Sequence, residues 1–372
     1  MKKTSPSKKS LWKGPYEDGI TFSLLSRFVV CRERFRLKTV EGLVEDTGFN
    51  HPMEYGNLWH EAEQAHTGGQ PYLPALVRYR DKLLHKYPDE TDKVVRAFRI
   101  CEAQFPVYLS WWSQHRLEVT RKPLMEEVAF KVEVELPSGR LIKLRGKWDC
   151  TFQSHNDIWL QENKTKSEVD AIGLQSTVAK NMQTLLYQKA LRTLADEVTL
   201  YPRRIEEGYY DKNLVPFLKA VRDGGQIVGT MYNVIKRPLS GIFGIKQKKT
   251  ETPSQFYARL QEDIRTNASE YFYRWLVRIS PDMVEEALRK MVYPHLEALC
   301  DWWESIQYDP FNPWVTVIDG TVTTNPHHWQ TPWGIYNSIA QGLRGDYFET
   351  LTTGRTWHLK QAPTLFPELE DA

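Results

Sequence analysis

LIKLRGKWDCTFQSHNDIWLQENKT, residues 141–165, alternates apolar and polar side chains on either side of a polar break. Ile142, Leu144, Trp148, Cys150 and Phe152 share one face, and Lys143, Arg145, Lys147, Asp149 and Thr151 share the other. Period two predicts a strand with one buried face. The run Gln153 to Asp157 supplies a turn, and another strand follows at about 158–165. Upstream, residues 126–136 alternate in the same way, with Val128, Phe130, Val132, Val134 and Leu136 opposite Glu127, Lys131, Glu133 and Glu135. Pro137, Ser138 and Gly139 turn the chain between the two. The three strands read as a meander.

Helical spacing surrounds this meander. Residues 21–38 place Leu24, Leu25, Phe28, Val29 and Phe35 among Arg27, Arg32, Arg34 and Arg36. A second helix is expected at 54–65 and a third stretch at 73–117, broken at Tyr87-Pro88. Beyond the meander come a helix at 172–195, an apolar run at 198–201 and a strand at 226–236. Lys246, Lys248 and Lys249 read as a loop, 253–307 as helical, and 310–332 as loop-rich. The order predicts an α/β (α+β) fold, a mixed sheet flanked by helices, with extra helical segments at both ends. The domain reading is a tail and helix at 1–50, a core at 51–240 with a helical insertion at about 66–120, and a helical, loop-rich region at 241–372.

Composition narrows the function classes. A net charge of +2 is far from the balance of a non-specific nucleic-acid coat, yet a cleft needs only a local basic patch. The 13 Trp, 18 Tyr and 15 Phe suit cores and helix packing before they suit base stacking, and Trp111-Trp112 and Trp302-Trp303 are read as core or helix-interface pairs. No apolar run is long enough to span a membrane, and the polar, basic start does not read as a secretory signal. Cys31, Cys101, Cys150 and Cys300 form no CxxC pair, so a reducing, cytoplasmic setting fits best. No phosphate-binding P-loop occurs.

The chemistry sits on two strands. Glu162 and Lys164 are two apart and project to one face, and a neighbouring antiparallel strand can set Asp149 beside Glu162. Two carboxylates at one point repel unless a cation lies between them, and hard oxygen ligands suit Mg²⁺. Lys164 can orient a water or stabilise charge on phosphorus, and the backbone carbonyl of Asn163 can serve as a further ligand. Alone, this spacing is more often a solvated sheet face with a Glu–Lys pair. Glu126 or Glu127 is a further acidic candidate at the start of the first strand. His327-His328 reads as loop.

Four motifs in order resemble the PD-(D/E)XK nucleases, and specifically their RecB-like branch. Gly56 to His60 is similar to the helix carrying Gly-x-x-x-His. Gly146 to Asp149 resembles Gly-x-x-Asp, and Glu162-Asn163-Lys164-Thr165 resembles (Asp/Glu)-x-Lys-Thr. Gln183 to Tyr187 resembles Gln-x-x-x-Tyr, two residues that share a helix face. The match is strong over about 56–187, and weaker at 23–31 and 232–238. It implies a restriction-endonuclease-like core and a Mg²⁺- or Mn²⁺-dependent DNA nuclease, an exonuclease in phage or prophage recombination or repair. His60, Asp149, Glu162 and the Asn163 carbonyl would hold metal. Asp149, Glu162, Lys164, Gln183 and Tyr187 would form the catalytic group.

Arg145, Lys147, Lys180, Lys236 and Arg237 are the set expected to grip DNA phosphates. The implied partners are DNA and a single-strand annealing or single-strand-binding protein. Iron–sulfur members carry one cysteine before the core and three after it. Cys31 stands in the first place, but Trp329 in the 325–334 segment stands where a cysteine is expected, so no cluster is predicted. The rival readings are a non-catalytic DNA-binding or scaffold module that retains the fold, and an interaction protein unrelated to nucleic acid.

Overall fold

A computed structural model describes residues 11–30, 32–40, 42–45, 48–239, 245–307, 359–362, 364–366 and 369. Its helices are α1 (Phe22–Val30), α2 (Arg32–Phe35), α3 (His51–Thr67), α4 (Tyr72–Lys86), α5 (Thr91–Ser113), α6 (Arg116–Thr120), α7 (Ala171–Thr177), α8 (Met182–Leu200), α9 (Val215–Arg222), α10 (Pro253–Thr266), α11 (Pro281–Met291) and α12 (Tyr293–Gln307). The strands are β1 (Leu43–Glu45), β2 (Arg121–Glu135), β3 (Leu141–Ser154), β4 (Asp157–Lys166), β5 (Gln226–Lys236), β6 (Phe272–Arg278) and β7 (Leu359–Gln361). The chain divides into two compact units, one of residues 1–46, 129–146 and 285–372, the other of 47–128 and 147–284.

A five-stranded sheet runs in the order β2-β3-β4-β5-β6. β3 and β4 are antiparallel with Cys150 opposite Gln161, so the meander predicted from period two is present. β4 and β5 are parallel, with Glu162 beside Tyr232 and Lys164 beside Val234. Parallel neighbours need a crossover, and α7, α8 and α9 supply it. β6 returns antiparallel along β5.

In the second unit α3, α4, α5 and α10 enclose a core of Leu58, Trp59, Phe98, Phe105, Tyr108, Ile235, Leu260 and Phe272. Trp112, at the end of α5, is buried beneath the guanidinium of Arg274, 4.1 Å from its ring centre. In the first unit Trp12 packs against Phe35 and Trp303, and Phe28 against Trp302. Both tryptophan pairs thus serve packing.

Three departures from the periodicity have local causes. The helix expected at 172–195 is two helices. Asn181 adopts extended backbone between them, and its Oδ1 accepts from the Gln183 and Thr184 N–H groups at 3.0 and 3.2 Å, capping α8. The helical stretch at 253–307 contains β6, whose aromatic and branched residues find a partner in β5. The helix expected at 21–38 closes at Val30, followed by α2 and a π turn at Arg36–Val40. Cys101, Cys150 and Cys300 are separate buried thiols. Cys31, the 325–334 segment and the 310–332 loop reading lie outside the described residues. No helix among those described is long and apolar enough to cross a membrane.

Candidate active site

β2 holds the first site residue by breaking its own rhythm. Leu124 and Met125 are both buried, and Glu126 and Glu127 are both half-buried, so the alternation slips by one before Val128 resumes it. Glu127 has φ +49°, a left-handed conformation that costs a non-glycine residue energy. The slip delivers its carboxylate to α3 and β3. Oε1 lies 2.9 Å from His60 Nδ1, and Oε2 accepts from Lys147 Nζ at 2.7 Å.

Asp149 lies two residues beyond Lys147 on the same face of β3. One ligand atom each from His60, Glu127 and Asp149 falls within 4.8 Å of the other two, a spacing at which a single ion can bridge them. Asp149 Oδ2 accepts from the Asn163 N–H at 2.7 Å, so β4 fixes the orientation of the β3 carboxylate. The Asn163 side chain accepts from Gln161 Nε2 at 2.9 Å and from Asn233 Nδ2 at 2.8 Å.

Glu162 is fully buried, and neither carboxylate oxygen has a hydrogen-bond partner. Its contact is an ion pair with Lys164 Nζ at 3.0 Å. The same ammonium donates to Gln183 Oε1 at 2.9 Å, in the first turn of α8 that Asn181 caps. Tyr187 is buried one turn further on, and its backbone carbonyl accepts from Trp148 Nε1 at 3.3 Å.

The electrostatics follow from crowding acids in a low-dielectric site. Burial pushes the Glu162 carboxyl up to about 7; Asp149 adds to this and Lys164 only partly offsets it. Burial also raises Asp149, against His60 and Lys164. Burial opposes charge on His60, yet Asp149 and Glu127 carry it up to about 9. Glu127 is held below the usual glutamate range because His60 and Lys147 outweigh its burial. Lys164 is raised, since Glu162 and Asp149 overcome desolvation, and therefore stays an ammonium.

The structure gathers His60, Asp149, Glu162, Lys164, Gln183 and Tyr187, with the Asn163 backbone between the two strands. It selects Glu127 from the pair Glu126 and Glu127. The readable signal was the doubled pattern Leu124-Met125-Glu126-Glu127, which breaks period two as a bulge does. The phosphate-gripping set is dispersed. Lys147 is spent on Glu127. Arg145 belongs to the other unit, where it donates to the Asp18 carbonyl at 3.3 Å and lies over the Phe366 ring. Lys180 is exposed in the turn before α8, and Lys236 is half-buried with its amine over the Tyr271 ring. Arg237 is buried.

A family model described as the PD-(D/E)XK nuclease superfamily matches residues 20–298. No curated protein matches the chain. The match takes in most of the chain and every site residue named above, so the chain belongs to the PD-(D/E)XK nuclease superfamily, whose members are generally nucleases that use divalent metals.

Proposed function

From membership of the PD-(D/E)XK nuclease superfamily, we propose that the chain is a metal-dependent deoxyribonuclease that hydrolyses phosphodiester bonds, acting as an exonuclease. One observation carries the reading: His60, Glu127 and Asp149 converge on one point beside a buried, unbonded carboxylate and an ammonium. The four RecB-like motifs support a role in phage or prophage recombination or repair by analogy.

The residues fit a divalent ion. The open valences of Glu162 and the close approach of Glu127 to Asp149 are costly without a cation between them. His60, Glu127, Asp149 and Glu162 would hold it, and an oxygen-rich set suits Mg²⁺ or Mn²⁺. Such an ion supplies Lewis acidity at the phosphate and a more acidic water.

The side chains do the rest. The Asn163 N–H fixes the Asp149 carboxylate through one oxygen, so the other would be available to the ion. Lys164 carries three donors. Its ammonium is ion-paired with Glu162 and donates one hydrogen bond to Gln183, which leaves donors for a water or a phosphate oxygen. Because Lys164 remains charged, it stabilises developing negative charge and does not serve as the base. Gln183 holds the amine, and Tyr187 is buried one turn further along α8.

The test is digestion of linear and circular DNA, single- and double-stranded, by the purified chain with Mg²⁺ or Mn²⁺. Expected is loss of linear substrate with circles spared, abolished by a chelator and by Asp149→Asn. Binding without cleavage of any substrate would refute the enzyme reading and favour a DNA-binding module that retains the fold.

A further inference from the structure

Arg237 follows the last residue of β5. It is 8% exposed, and its N–H donates to the Lys166 carbonyl at 2.7 Å. It therefore stands at the carboxyl end of the parallel pair β4–β5, where open α/β sheets leave room for ligands. Its guanidinium Nε and Nη1 are enclosed with no hydrogen-bond partner, and no carboxylate pairs with it among the described residues. A buried cation without a counter-ion is strongly unfavourable, so its retention calls for an anion that is present only part of the time.

Among the described residues, the surroundings add positive character. Tyr55 Oη donates to Gln104 Oε1, and Gln104 Nε2 donates to the Lys236 carbonyl at 2.8 Å, pinning α3 and α5 to the end of β5. His51, the first residue of α3, stacks on Tyr55 with ring centres 5.9 Å apart and planes 13° apart. Burial, followed by the charges of Arg237 and exposed Arg96, holds His51 below its usual pKa, so it is a neutral ring. The charges of two arginines and the positive end of a helix dipole thus act on one side chain.

We infer that Arg237, with His51 at the N-terminal end of α3, forms a phosphate subsite that grips the nucleic-acid backbone away from the cleavage centre. His51 precedes His60 by nine residues of one helix, about 14 Å along its axis, so the phosphate held is not the one cut. A phosphodiester supplies the missing charge and acceptors for the guanidinium. The assignment of DNA as the ligand rests on the nuclease reading; the anion site itself does not.

The experiment compares Arg237→Gln and Arg237→Lys with wild type in the full chain. A short duplex oligonucleotide is titrated across a salt series in the Asp149→Asn background. Arg237→Gln is expected to weaken binding about tenfold or more and to remove about one unit from the slope of log affinity on log salt. Arg237→Lys restores most of that slope. In cleavage, Arg237→Gln raises KM by a larger factor than it changes kcat. Without metal and DNA, Arg237→Gln melts higher than wild type, since the uncompensated charge is gone, and inorganic sulfate stabilises wild type more than the variant.

An unchanged salt slope, or a variant that melts lower, overturns the subsite. A wild-type chain that shows the Arg237-dependent slope yet cleaves nothing supports the subsite and defeats the nuclease reading. Cleavage with an Arg237→Gln KM equal to wild type does the reverse.

Discussion

Replacing Glu162 by Gln should stabilise the metal-free protein, although it removes an ion pair with Lys164. The carboxyl is fully buried with neither oxygen hydrogen-bonded, and it titrates at about 7 against an ordinary value of 4.5. An acid whose folded pKa is raised binds its proton more tightly in the folded state. It therefore costs nothing below the unfolded pKa, and the cost grows as pH climbs from about 4.5 to about 7. Above that window the ionised carboxylate withholds about 3 kcal/mol of stability, at about 1.4 kcal/mol per pKa unit. Gln keeps the shape and cannot ionise. At pH 8 in chelator, Glu162→Gln should gain most of that 3 kcal/mol, a melting shift of about 4 °C for a chain of this length. At pH 5 the gap should shrink below about 1 kcal/mol. Mg²⁺ should raise the melting temperature of wild type by mass action and raise that of the variant far less. Differential scanning fluorimetry at the two pH values, with and without Mg²⁺, reads all four quantities. A variant no more stable than wild type at pH 8, or a gap that persists at pH 5, would mean that Glu162 carries no such penalty.

Lys164→Ala should lower kcat about 100-fold or more while keeping the Mg²⁺-induced melting shift, because the amine, held by Glu162 and Gln183, would stabilise charge on the phosphate and supplies no ligand to the ion; steady-state kinetics beside fluorimetry check this. Glu127→Gln should shift the Mg²⁺ activation curve to about tenfold higher concentration, since it removes charge from the three-ligand group; unchanged half-activation would remove Glu127 from the centre. Asn181→Ala should cost about 1 kcal/mol through the lost cap of α8 and lower kcat besides, because Gln183 in that first turn holds Lys164; Asn181→Asp, which also caps, should recover both.

How far the site could be read from sequence depends on which physical rule places each residue. Asp149 obeys period two, which survives folding because β3 buries one face over most of its length, while Glu162 and Lys164 share a face of β4 by the same spacing although both faces of that strand are covered from Ile158 to Asn163. Gln183 and Tyr187 obey the four-residue helix spacing, and both fall within α8. β6 was hidden because FYRWLVR sits between two helical windows. Its state is decided by pairing with β5, a long-range contact that no local pattern contains. The break at Asn181 was hidden because apolar residues keep helical spacing on both sides of it, and only the capping bonds of its side chain reveal the extended backbone. Lys147 and Arg145 are alike in sequence, two residues apart on one strand face. One is consumed by Glu127, and the other lies in the other unit against Asp18 and Phe366. A charge on a strand face states only that it is polar. Whether it meets a phosphate or a carboxylate depends on the strand opposite, and for Lys147 that was settled by a one-residue slip in β2. The same slip holds Glu127 in a left-handed conformation. Strain at the residue that completes a three-ligand group is retained when the surrounding contacts over-determine it, as the bonds from His60 and Lys147 do here.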